Sequence, residues 1–507
     1  MQAPLDILII GGGVNGTFLA RHAASLGYSV ALLEKDDFGA GVTSRSTRLI
    51  HGGLRYLESG QFRVVKESLH DRRLWLDEFP GQTRPMQFLI PVYKGDTRPS
   101  WYLHIGLFMY GYLSRDPELD DYQRLSAADL KILEPGLDQV NLKAGFLYFD
   151  GQVAHTERTC LELALQAEEL GARVENHHGA ADLLIEKGRV IGVRTTRHEE
   201  IRASVTINAG GAWVDQVRAM AEGVPDTKLL SRLNGAHIFL KRFEDAPDHA
   251  VYHEARSDGR PFFIVPWRGL LMVGTTETPY DGDPDRVLAL DEEIDYLVRE
   301  ANHLFPDIGI TRDSVLYSYA GSRPLLHAKT KNFNSASRDH AVYDHEEEEN
   351  LPGLLSMVGG KLTTAPSFAA HALEVAAKKL GRPDPGPSPR LTKGIAPEDP
   401  RLGEIYGPRT AELKRWIGED GHRLAPALEG SETTVGEILF GVEHEKATTL
   451  GDVMIRRTGL TFQPGYQADW PRNVAEIISE KLQWTESDVE QQLADYRNEL
   501  DRTLLGR

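Results

Sequence analysis

A glycine-rich turn near the start of the chain constrains its fold more than any other feature. The stretch IIGGGVNG places Gly11-x-Gly13-x-x-Gly16 between an apolar run at residues 5–10 and a segment at residues 14–26 with alanines and leucines at helical spacing. Residues 30–33 form a second short apolar run, which ends at Glu34. A strand, a helix and a second strand in this order predict a βαβ unit with parallel strands.

Within such a unit, the three glycines form a dinucleotide fingerprint. Gly11 makes the tight turn, Gly13 lets the backbone approach a pyrophosphate, and Gly16 lets the helix pack closely on the strand. The helix N-terminus faces the phosphates with free N–H groups, and Glu34 is placed to accept hydrogen bonds from a ribose. We therefore predict an α/β protein with a Rossmann-like dinucleotide-binding domain.

Glycines far downstream favour FAD as the dinucleotide. Ala209-Gly210-Gly211 follows one predicted strand, and Gly359-Gly360 follows another. An extended FAD needs contacts from distant segments that converge on one sheet, whereas a nicotinamide enzyme usually completes its cofactor site within one contiguous domain. These arguments favour FAD without deciding the matter alone.

Composition excludes several classes of function. A formal net charge of −18 argues against a nucleic-acid binder, which needs a basic face. A single cysteine, Cys160, rules out an internal disulfide and a thiolate metal cluster, and we expect no metal site. The sequence lacks an apolar run of about 20 residues and the pattern of a signal peptide, so we expect a cytoplasmic protein that is soluble or attached to a membrane surface. No obvious basic amphipathic helix supports the attachment.

The pattern along the 507 residues predicts three domains. We assign residues 1–80, 145–230 and 350–380 to the FAD-binding domain, and residues 81–144 and 231–349 to a β-rich substrate-binding domain. A proline-rich linker at residues 381–390 precedes a C-terminal helical domain at residues 391–507. The acidic run DHEEEEN at residues 344–350 is predicted to be a solvated loop.

Eight motifs carry a resemblance to a known family. They are IIGGGVNG, TSRSTRLIHGGLRYLE, NAGGAWVD, VGTTETPYDGDP, YAGSRPL, SRDH, GGKLTT and TTLGDVMIRRTGL. Together they resemble the FAD-dependent, quinone-linked glycerol-3-phosphate dehydrogenases within the D-amino-acid oxidase-like flavoproteins. The resemblance implies oxidation of sn-glycerol 3-phosphate to dihydroxyacetone phosphate, with electrons passed to quinone at the cytoplasmic face of a membrane. It is also compatible with a homodimer.

The resemblance also assigns roles to individual residues. His237 is the first choice for the catalytic base because a neutral imidazole titrates in the right range, His51 is the second, and Arg323 is also expected to be catalytic. Arg55, Tyr56, Arg323 and Lys361 are expected to bind the substrate and its phosphate. The residues expected to bind the cofactor are Gly11, Gly13, Asn15, Gly16, Glu34, Lys35, Thr43, Ser44, Ser46, His51, Gly52, Gly53, Ala209, Gly210, Gly360, Lys361, Leu362 and Thr363.

Three positions depart from the family pattern, and they leave alternatives open. Asn234 stands where a lysine is common, Pro366 where an arginine is common, and Val42 where a hydroxyl residue is usual. The missing positive charge near His237 keeps open another polyol phosphate, a phosphonate, an unphosphorylated hydroxy compound, and oxygen as the acceptor. Two further alternatives are a related flavoenzyme that acts on an amine, and a flavin-bearing sensor or scaffold without turnover.

Overall fold

The computed structural model describes residues 3–58, 60–116, 119, 121–222, 225, 227–327, 340–390 and 396–506. The first three residues of the SRDH motif and the first five of the predicted helical domain lie outside these ranges. In chain order the strands are β1 (Leu5–Ile10), β2 (Val30–Leu33), β3 (Leu49–Ile50), β4 (Thr83–Tyr93), β5 (Gln123–Ser126), β6 (Leu142–Val153), β7 (Arg173–Glu175), β8 (Ala180–Glu186), β9 (Arg189–Thr195), β10 (Glu200–Asn208), β11 (Leu230–Lys241), β12 (Ala250–Glu254), β13 (Pro261–Trp267), β14 (Leu270–Gly274), β15 (Thr278–Pro279), β16 (Val315–Leu326), β17 (His340–Asp344), β18 (Leu354–Gly359) and β19 (Leu504–Leu505).

The α-helices alternate with these strands and then dominate the C-terminal part. They are α1 (Val14–Ser25), α2 (Arg55–Glu58), α3 (Phe62–Glu78), α4 (Ser100–Ser114), α5 (Ala127–Leu133), α6 (Thr156–Glu169), α7 (Val214–Arg218), α8 (Asp291–Leu304), α9 (His345–Glu349), α10 (Ala365–Lys379), α11 (Pro400–Tyr406), α12 (Thr410–Ile417), α13 (Gly421–Leu424), α14 (Val435–His444), α15 (Trp470–Leu482) and α16 (Glu486–Thr503).

The first sheet has eight strands and contains the predicted βαβ unit. Its order is β17-β18-β10-β1-β2-β7, and the hairpin of β8 and β9 joins it through β10. Strands β18, β10, β1, β2 and β7 run parallel, so their carboxyl ends lie along one edge. One face of β1 and β2 packs on α1, α6 and α10, and the other face packs on the β8–β9 hairpin and α7, so this parallel sheet is covered on both faces.

The second sheet has eleven strands and lies beside that edge. Its order is β19-β16-β11-β14-β13-β12-β4-β6-β3, with β15 on β11 and β5 on β6. The pairings are antiparallel except for the short contact between β12 and β4. The α/β architecture with a Rossmann-like first sheet, a β-rich second sheet and C-terminal helices confirms the predicted fold class.

The C-terminal helices are fixed to the first sheet by buried ion pairs. Asp37, at the end of the first βαβ unit, accepts hydrogen bonds from the guanidinium groups of Arg456 and Arg457. Arg158 of α6 forms two hydrogen bonds with the carboxylate of Glu445, and both side chains are buried. The chain then returns to the second sheet, where β19 pairs with β16.

Sheet membership differs from the predicted domain ranges at several places, including β3 and β19, which both pair in the second sheet. Strand β6, Leu142–Val153, pairs with β4 in the second sheet, although residues 145–153 had been grouped with the FAD-binding domain. Strand β17, His340–Asp344, pairs with β18 in the first sheet, although its residues had been grouped with the substrate-binding domain. Apolar alternation predicts that a segment is a strand, but it does not identify the sheet. The domain ranges therefore stay a prediction.

The acidic run at residues 344–350 does not form the solvated loop that the sequence predicts. Residues His345–Glu349 form α9, and the side chain of Asp344 accepts a hydrogen bond from the Glu346 N–H at the start of this helix. The side chain of Glu349 is buried and accepts hydrogen bonds from Arg218 and His345. Burial alone would raise the pKa of Glu349, but these two donors hold it at about 2. One carboxylate of the run thus supports the core.

Among the described residues, no helix combines the length and the hydropathy needed to cross a bilayer.

Candidate active site

A cavity of about 1050 Å³ lies where the carboxyl edge of the first sheet meets the second sheet. Ligands bind at this edge in parallel α/β sheets because the strand-to-helix turns leave a crevice there. Many of the predicted site residues line the cavity. They are Gly11, Gly13, Asn15, Glu34, Lys35, Thr43, Ser46, His51, Arg55, Tyr56, Ala209, Gly210, His237, Arg323, Gly360, Lys361, Leu362 and Thr363.

One end of the cavity is built by the dinucleotide fingerprint. Gly11 has a φ of 113°, a conformation that favours glycine, and its missing side chain lets the turn pass next to Ala209. The Val14 N–H at the start of α1 faces the Oγ1 of Thr43 at 3.2 Å. Both carboxylate oxygens of Glu34 accept backbone N–H groups, from Gly12 and Asp36. Burial raises the pKa of Glu34.

Four predicted cofactor residues lie outside the cavity lining. A Cβ at Gly16 would fall 1.9 Å from the Gly11 carbonyl oxygen, so this glycine permits helix–strand packing instead of touching a ligand. The Ser44 hydroxyl donates to the Ala40 and Gly41 carbonyls within its own turn. The missing side chain of Gly52 faces Leu69 and Tyr110, while that of Gly53 faces the ring of Tyr56.

The opposite end of the cavity contains His237, on β11 of the second sheet. Its Nε2 lies 2.9 Å from the Oγ1 of Thr47, which also lines the cavity, and its buried Nδ1 has no hydrogen-bond partner among the described residues. A Cβ at the cross-strand position Gly274 would lie 2.3 Å from the imidazole, so that glycine makes room for the ring. Burial, and then the charges of Arg323 and Arg48, lower the pKa of His237 to about 3. The imidazole is therefore neutral.

Arg323 lies on the same face of the second sheet as His237, because in the pairing of β16 with β11 it stands opposite Leu233, four residues before His237. Its Nη2 donates to the Thr275 Oγ1 at 2.7 Å, and its Nη1 lies 3.2 Å from Glu277. A Cβ at Gly235 would lie 2.8 Å from the guanidinium, so this glycine provides space for Arg323. The side chain is one-third exposed and faces the cavity.

Lys361 contacts Tyr56 in the same cavity. The Lys361 ammonium donates to the Tyr56 hydroxyl and lies 3.7 Å from the centre of its ring. The next residues lead into α10 by way of Thr363, whose hydroxyl accepts the His51 backbone N–H at 3.1 Å. Burial, followed by a smaller contribution from the Lys361 charge, lowers the pKa of His51. Arg55 is exposed at the start of α2 and completes a group of three cations.

Sequence reasoning missed several residues of this cavity. Arg260 lines it beside Glu277, whose carbonyl accepts a hydrogen bond from its guanidinium. Arg45 and Thr47 also line it, immediately before and after the predicted residue Ser46. Arg45 and Thr47 lie within the TSRSTRLIHGGLRYLE motif, which does not show which side chains face inwards, and Arg260 lies outside the eight motifs.

Asn234 is not part of the cavity lining. It lies on β11 three residues before His237, and an odd spacing puts two side chains on opposite faces of a strand. The buried Asn234 amide donates to the Leu288 carbonyl at 3.2 Å instead. The missing lysine at this position therefore removes no cation from the cavity.

The cavity has the dimensions and the chemistry that FAD requires. Its volume is at the upper end of the range for ligand sites, about 300–1,000 Å³. Backbone turns with positive φ approach it at Gly11 and at Gly360, and the buried Oδ1 of Asn15 lacks a hydrogen-bond partner among the described residues. The predicted convergence of distant glycine turns on one sheet edge is thus observed.

The sequence matches two family descriptions. Residues 6–372 match "FAD dependent oxidoreductase", and residues 390–489 match "C-terminal domain of alpha-glycerophosphate oxidase". The chain is 34% identical to a glycerol-3-phosphate dehydrogenase of Synechocystis sp., over 99% of this chain and 97% of the relative. It is 31% identical to an aerobic glycerol-3-phosphate dehydrogenase of Bacillus subtilis, over 95% of this chain and 92% of the relative.

Solved structures agree with this relationship. The fold is similar to that of the glycerol-3-phosphate dehydrogenase of Bacillus halodurans complexed with FAD, with a TM-score of 0.79 and 26% identity over 99% of this chain and 95% of that one. The fold is also shared with the L-alpha-glycerophosphate oxidase of Mycoplasma pneumoniae with FAD bound, at a TM-score of 0.59 and 20% identity over 74% and 95% of the two chains.

Proposed function

Because this chain belongs to the glycerol-3-phosphate dehydrogenase family of FAD-dependent oxidoreductases, we propose that it oxidises sn-glycerol 3-phosphate to dihydroxyacetone phosphate. The observation that carries this proposal is the group of three cations, Arg55, Arg323 and Lys361, in the same cavity as the neutral His237. A phosphate dianion approaching a protein of charge −18 needs such a local positive site, because the overall field opposes it.

The reaction separates a hydride and a proton from the secondary alcohol. Bound FAD supplies the hydride acceptor for the carbinol carbon. His237 accepts the hydroxyl proton at the Nε2 end of its ring, the end that faces Thr47 in the cavity lining. The carbon–oxygen bond becomes a carbonyl, which completes dihydroxyacetone phosphate. His51 is the second candidate for the base, and its position beside Thr363 relates it more closely to the start of α10.

Substrate binding itself improves His237 as a base. A base with a pKa of about 3 is poorly matched to neutral pH, and part of that lowering comes from the positive charge of Arg323. A phosphate group paired with Arg323 would cancel this charge, so the proton affinity of His237 rises when the substrate is in place. The planar guanidinium suits this pairing because it can hold two phosphate oxygens at once.

The number of cations argues against an amine substrate. An amino acid presents one carboxylate, which a single arginine and a tyrosine can bind, whereas the cavity offers Arg55, Arg323 and Lys361 and, in addition, Arg260.

The test is a comparison of substrates at equal concentration with the FAD-loaded protein and an artificial electron acceptor. We expect glycerol 3-phosphate to be oxidised with formation of dihydroxyacetone phosphate, and glycerol or D-alanine to react far more slowly. Equal rates with D-alanine would contradict the assignment.

We further propose that quinone accepts the electrons while the protein rests on a membrane surface at the cytoplasmic face. Helix α4 supports this proposal, since four large apolar side chains on one helical face, at i, i+4, i+7 and i+11, are between 50% and 65% exposed. These are Trp101, Ile105, Phe108 and Tyr112. Aromatic residues of this kind favour the interface of a bilayer, and exposed Arg115 and Arg124 lie nearby to meet anionic lipid.

Helix α4 also lies close to the cavity. The Cβ position of Gly106 is 3.9 Å from the Leu54 side chain, and Leu54 lines the cavity. A bilayer under α4 would thus bring an apolar acceptor near the flavin.

Flotation with vesicles that contain anionic lipid tests the role of α4. We expect the wild-type protein to float with the vesicles, and the double variant Phe108→Ser with Trp101→Ser to remain at the bottom. Ile132→Ser, which removes another exposed apolar side chain, is the control. Unchanged flotation of the double variant would contradict the role of α4.

Release of hydrogen peroxide in step with substrate oxidation, without stimulation by a quinone analogue, would show that oxygen is the acceptor instead. The homodimer remains a prediction.

A further inference from the structure

One buried arginine differs from the other buried arginines of this protein. Among the described residues, eight arginines are buried, and seven of them form an ion pair with a carboxylate. These seven are Arg21, Arg48, Arg72, Arg158, Arg218, Arg456 and Arg457. The eighth is Arg45, whose side chain has no such partner in the part of the chain that the structure describes.

Arg45 ends the short 3-10 turn Val42–Arg45 and is only 7% exposed. Its Nη1 is buried without a hydrogen-bond partner, and its guanidinium carbon lies 5.8 Å from the centre of the Tyr319 ring. Burial lowers the pKa of Arg45, and the nearest carboxylates are already bound elsewhere, Glu499 to Arg456 and Glu157 to Arg48. An isolated buried charge is costly, so a partner is required.

The local sequence holds this side chain in place. A Cβ at Gly321 of β16 would lie 2.9 Å from the Cβ of Arg45, so the glycine makes room for the turn that carries it. Two residues earlier, Thr43 contacts the start of α1, where the fingerprint receives a pyrophosphate. Arg45 lines the same large cavity. The unpaired cation therefore faces the space that receives FAD.

We propose that Arg45 is a cofactor-binding residue whose guanidinium is paired only when FAD occupies the large cavity. The pyrophosphate carries negative charge and the ring system carries carbonyl acceptors, so FAD is the ligand of the large cavity that supplies what Arg45 lacks. The proposal rests on FAD binding alone and does not depend on which substrate is oxidised.

A second, smaller cavity of about 210 Å³ also borders Arg45. Its other charged lining residues are the four carboxylates Asp36, Asp285, Asp495 and Glu499 and the two cations Arg456 and Arg502. A free anion there would lie close to four carboxylates, which disfavours it. The large cavity is therefore the better source of the partner.

The test compares apoprotein and FAD-loaded protein for Arg45→Met, Arg45→Lys and the wild type. We expect Arg45→Met to weaken FAD binding at least tenfold in a fluorescence titration, while the melting temperature of its apoprotein stays equal to that of the wild type or rises. Arg45→Lys, which keeps the charge but loses the fork, should fall between the two. Arg84→Met, a partly exposed arginine outside the cavity, is the control and should change neither value.

Three results would overturn the proposal. An FAD dissociation constant within twofold of wild type in Arg45→Met would show that the cofactor does not need the guanidinium. A melting temperature that falls equally in apoprotein and FAD-loaded protein would show a purely structural role. Stabilisation of wild-type apoprotein by inorganic phosphate, lost in Arg45→Met without any change in FAD affinity, would assign Arg45 to a separate anion. If Arg45→Met does not fold, Arg45→Lys alone decides, because an FAD affinity equal to wild type in that variant would show that the cofactor does not need the guanidinium.

Discussion

The imidazole of His237 and the hydroxyl of Thr47 are in hydrogen-bond contact in the cavity lining, with Nε2 and Oγ1 2.9 Å apart. The two residues are 190 positions apart in the chain, one on β11 of the second sheet and the other in the turn before β3. Their contact therefore connects the end of the cavity where we expect the substrate with the chain segment that begins at the end where we expect the cofactor. It also fixes the orientation of the ring that we propose as the base.

Replacement of His237 by Gln should slow flavin reduction by glycerol 3-phosphate by roughly 10²–10⁴-fold, the usual contribution of a general base. FAD content should not change. The measurement is rapid mixing without oxygen, followed by flavin absorbance. Thr47→Val is the matched variant, because it removes the hydrogen bond and leaves the imidazole, and it should have a smaller effect. A His237→Gln enzyme within twofold of wild type would transfer the role to His51.

Replacement of Arg323 separates charge from geometry. Arg323→Lys keeps the charge but loses the planar fork, so we expect it to raise KM more than it lowers kcat. Arg323→Ala should remove about 2–4 kcal/mol of transition-state stabilisation from kcat/KM. Arg232→Ala, on the neighbouring strand and outside the cavity lining, should behave as wild type. If Arg323→Ala impairs oxidation of glycerol and of glycerol 3-phosphate equally, the phosphate clamp does not exist.

Gly13 provides a test of the cofactor end. The only heavy atom among those described within 4 Å of a Cβ at this position is the Oγ1 of Thr43, at 3.4 Å, so a valine can be built but would fill the space needed by the pyrophosphate. We expect Gly13→Val to purify without yellow colour. Gly421→Ala, where a Cβ meets nothing within 4 Å, should retain full FAD content. Retention of bound FAD in Gly13→Val would place the pyrophosphate elsewhere.

The sequence predicted the parts of this protein in which local pattern and function coincide. The βαβ unit and the C-terminal helices follow from apolar periodicity and glycine positions, because local spacing determines them. The motif does not encode that the Ser44 hydroxyl turns back to carbonyls of its own turn, that Gly53 faces the Tyr56 ring, or that Gly52 packs against Leu69 and Tyr110 of later helices. The exposure of one face of α4 was not predicted, because a helix that is apolar all round is expected to be buried.

Strand periodicity alone would have shown that the Asn234 side chain faces away from that of His237. A side chain three residues before His237 in the same strand points to the opposite face of the sheet. The lysine that is common at this position would therefore lie on the face away from the cavity. We expect Asn234→Lys to lower the melting temperature, because it would bury an ammonium group beside Leu288, and not to lower KM for glycerol 3-phosphate. A lower KM at unchanged stability would show that this position does reach the substrate.

We propose that glycerol 3-phosphate transfers a hydride to FAD when both are bound in this cavity. The most direct measurement is to mix the FAD-loaded protein with glycerol 3-phosphate in the absence of oxygen and of any other acceptor, and to follow the flavin absorbance near 450 nm while dihydroxyacetone phosphate is quantified. We predict that the yellow colour bleaches and that about one dihydroxyacetone phosphate forms per FAD, as a two-electron transfer requires. An absorbance that stays unchanged with glycerol 3-phosphate, while dithionite still bleaches the same sample, would contradict the account.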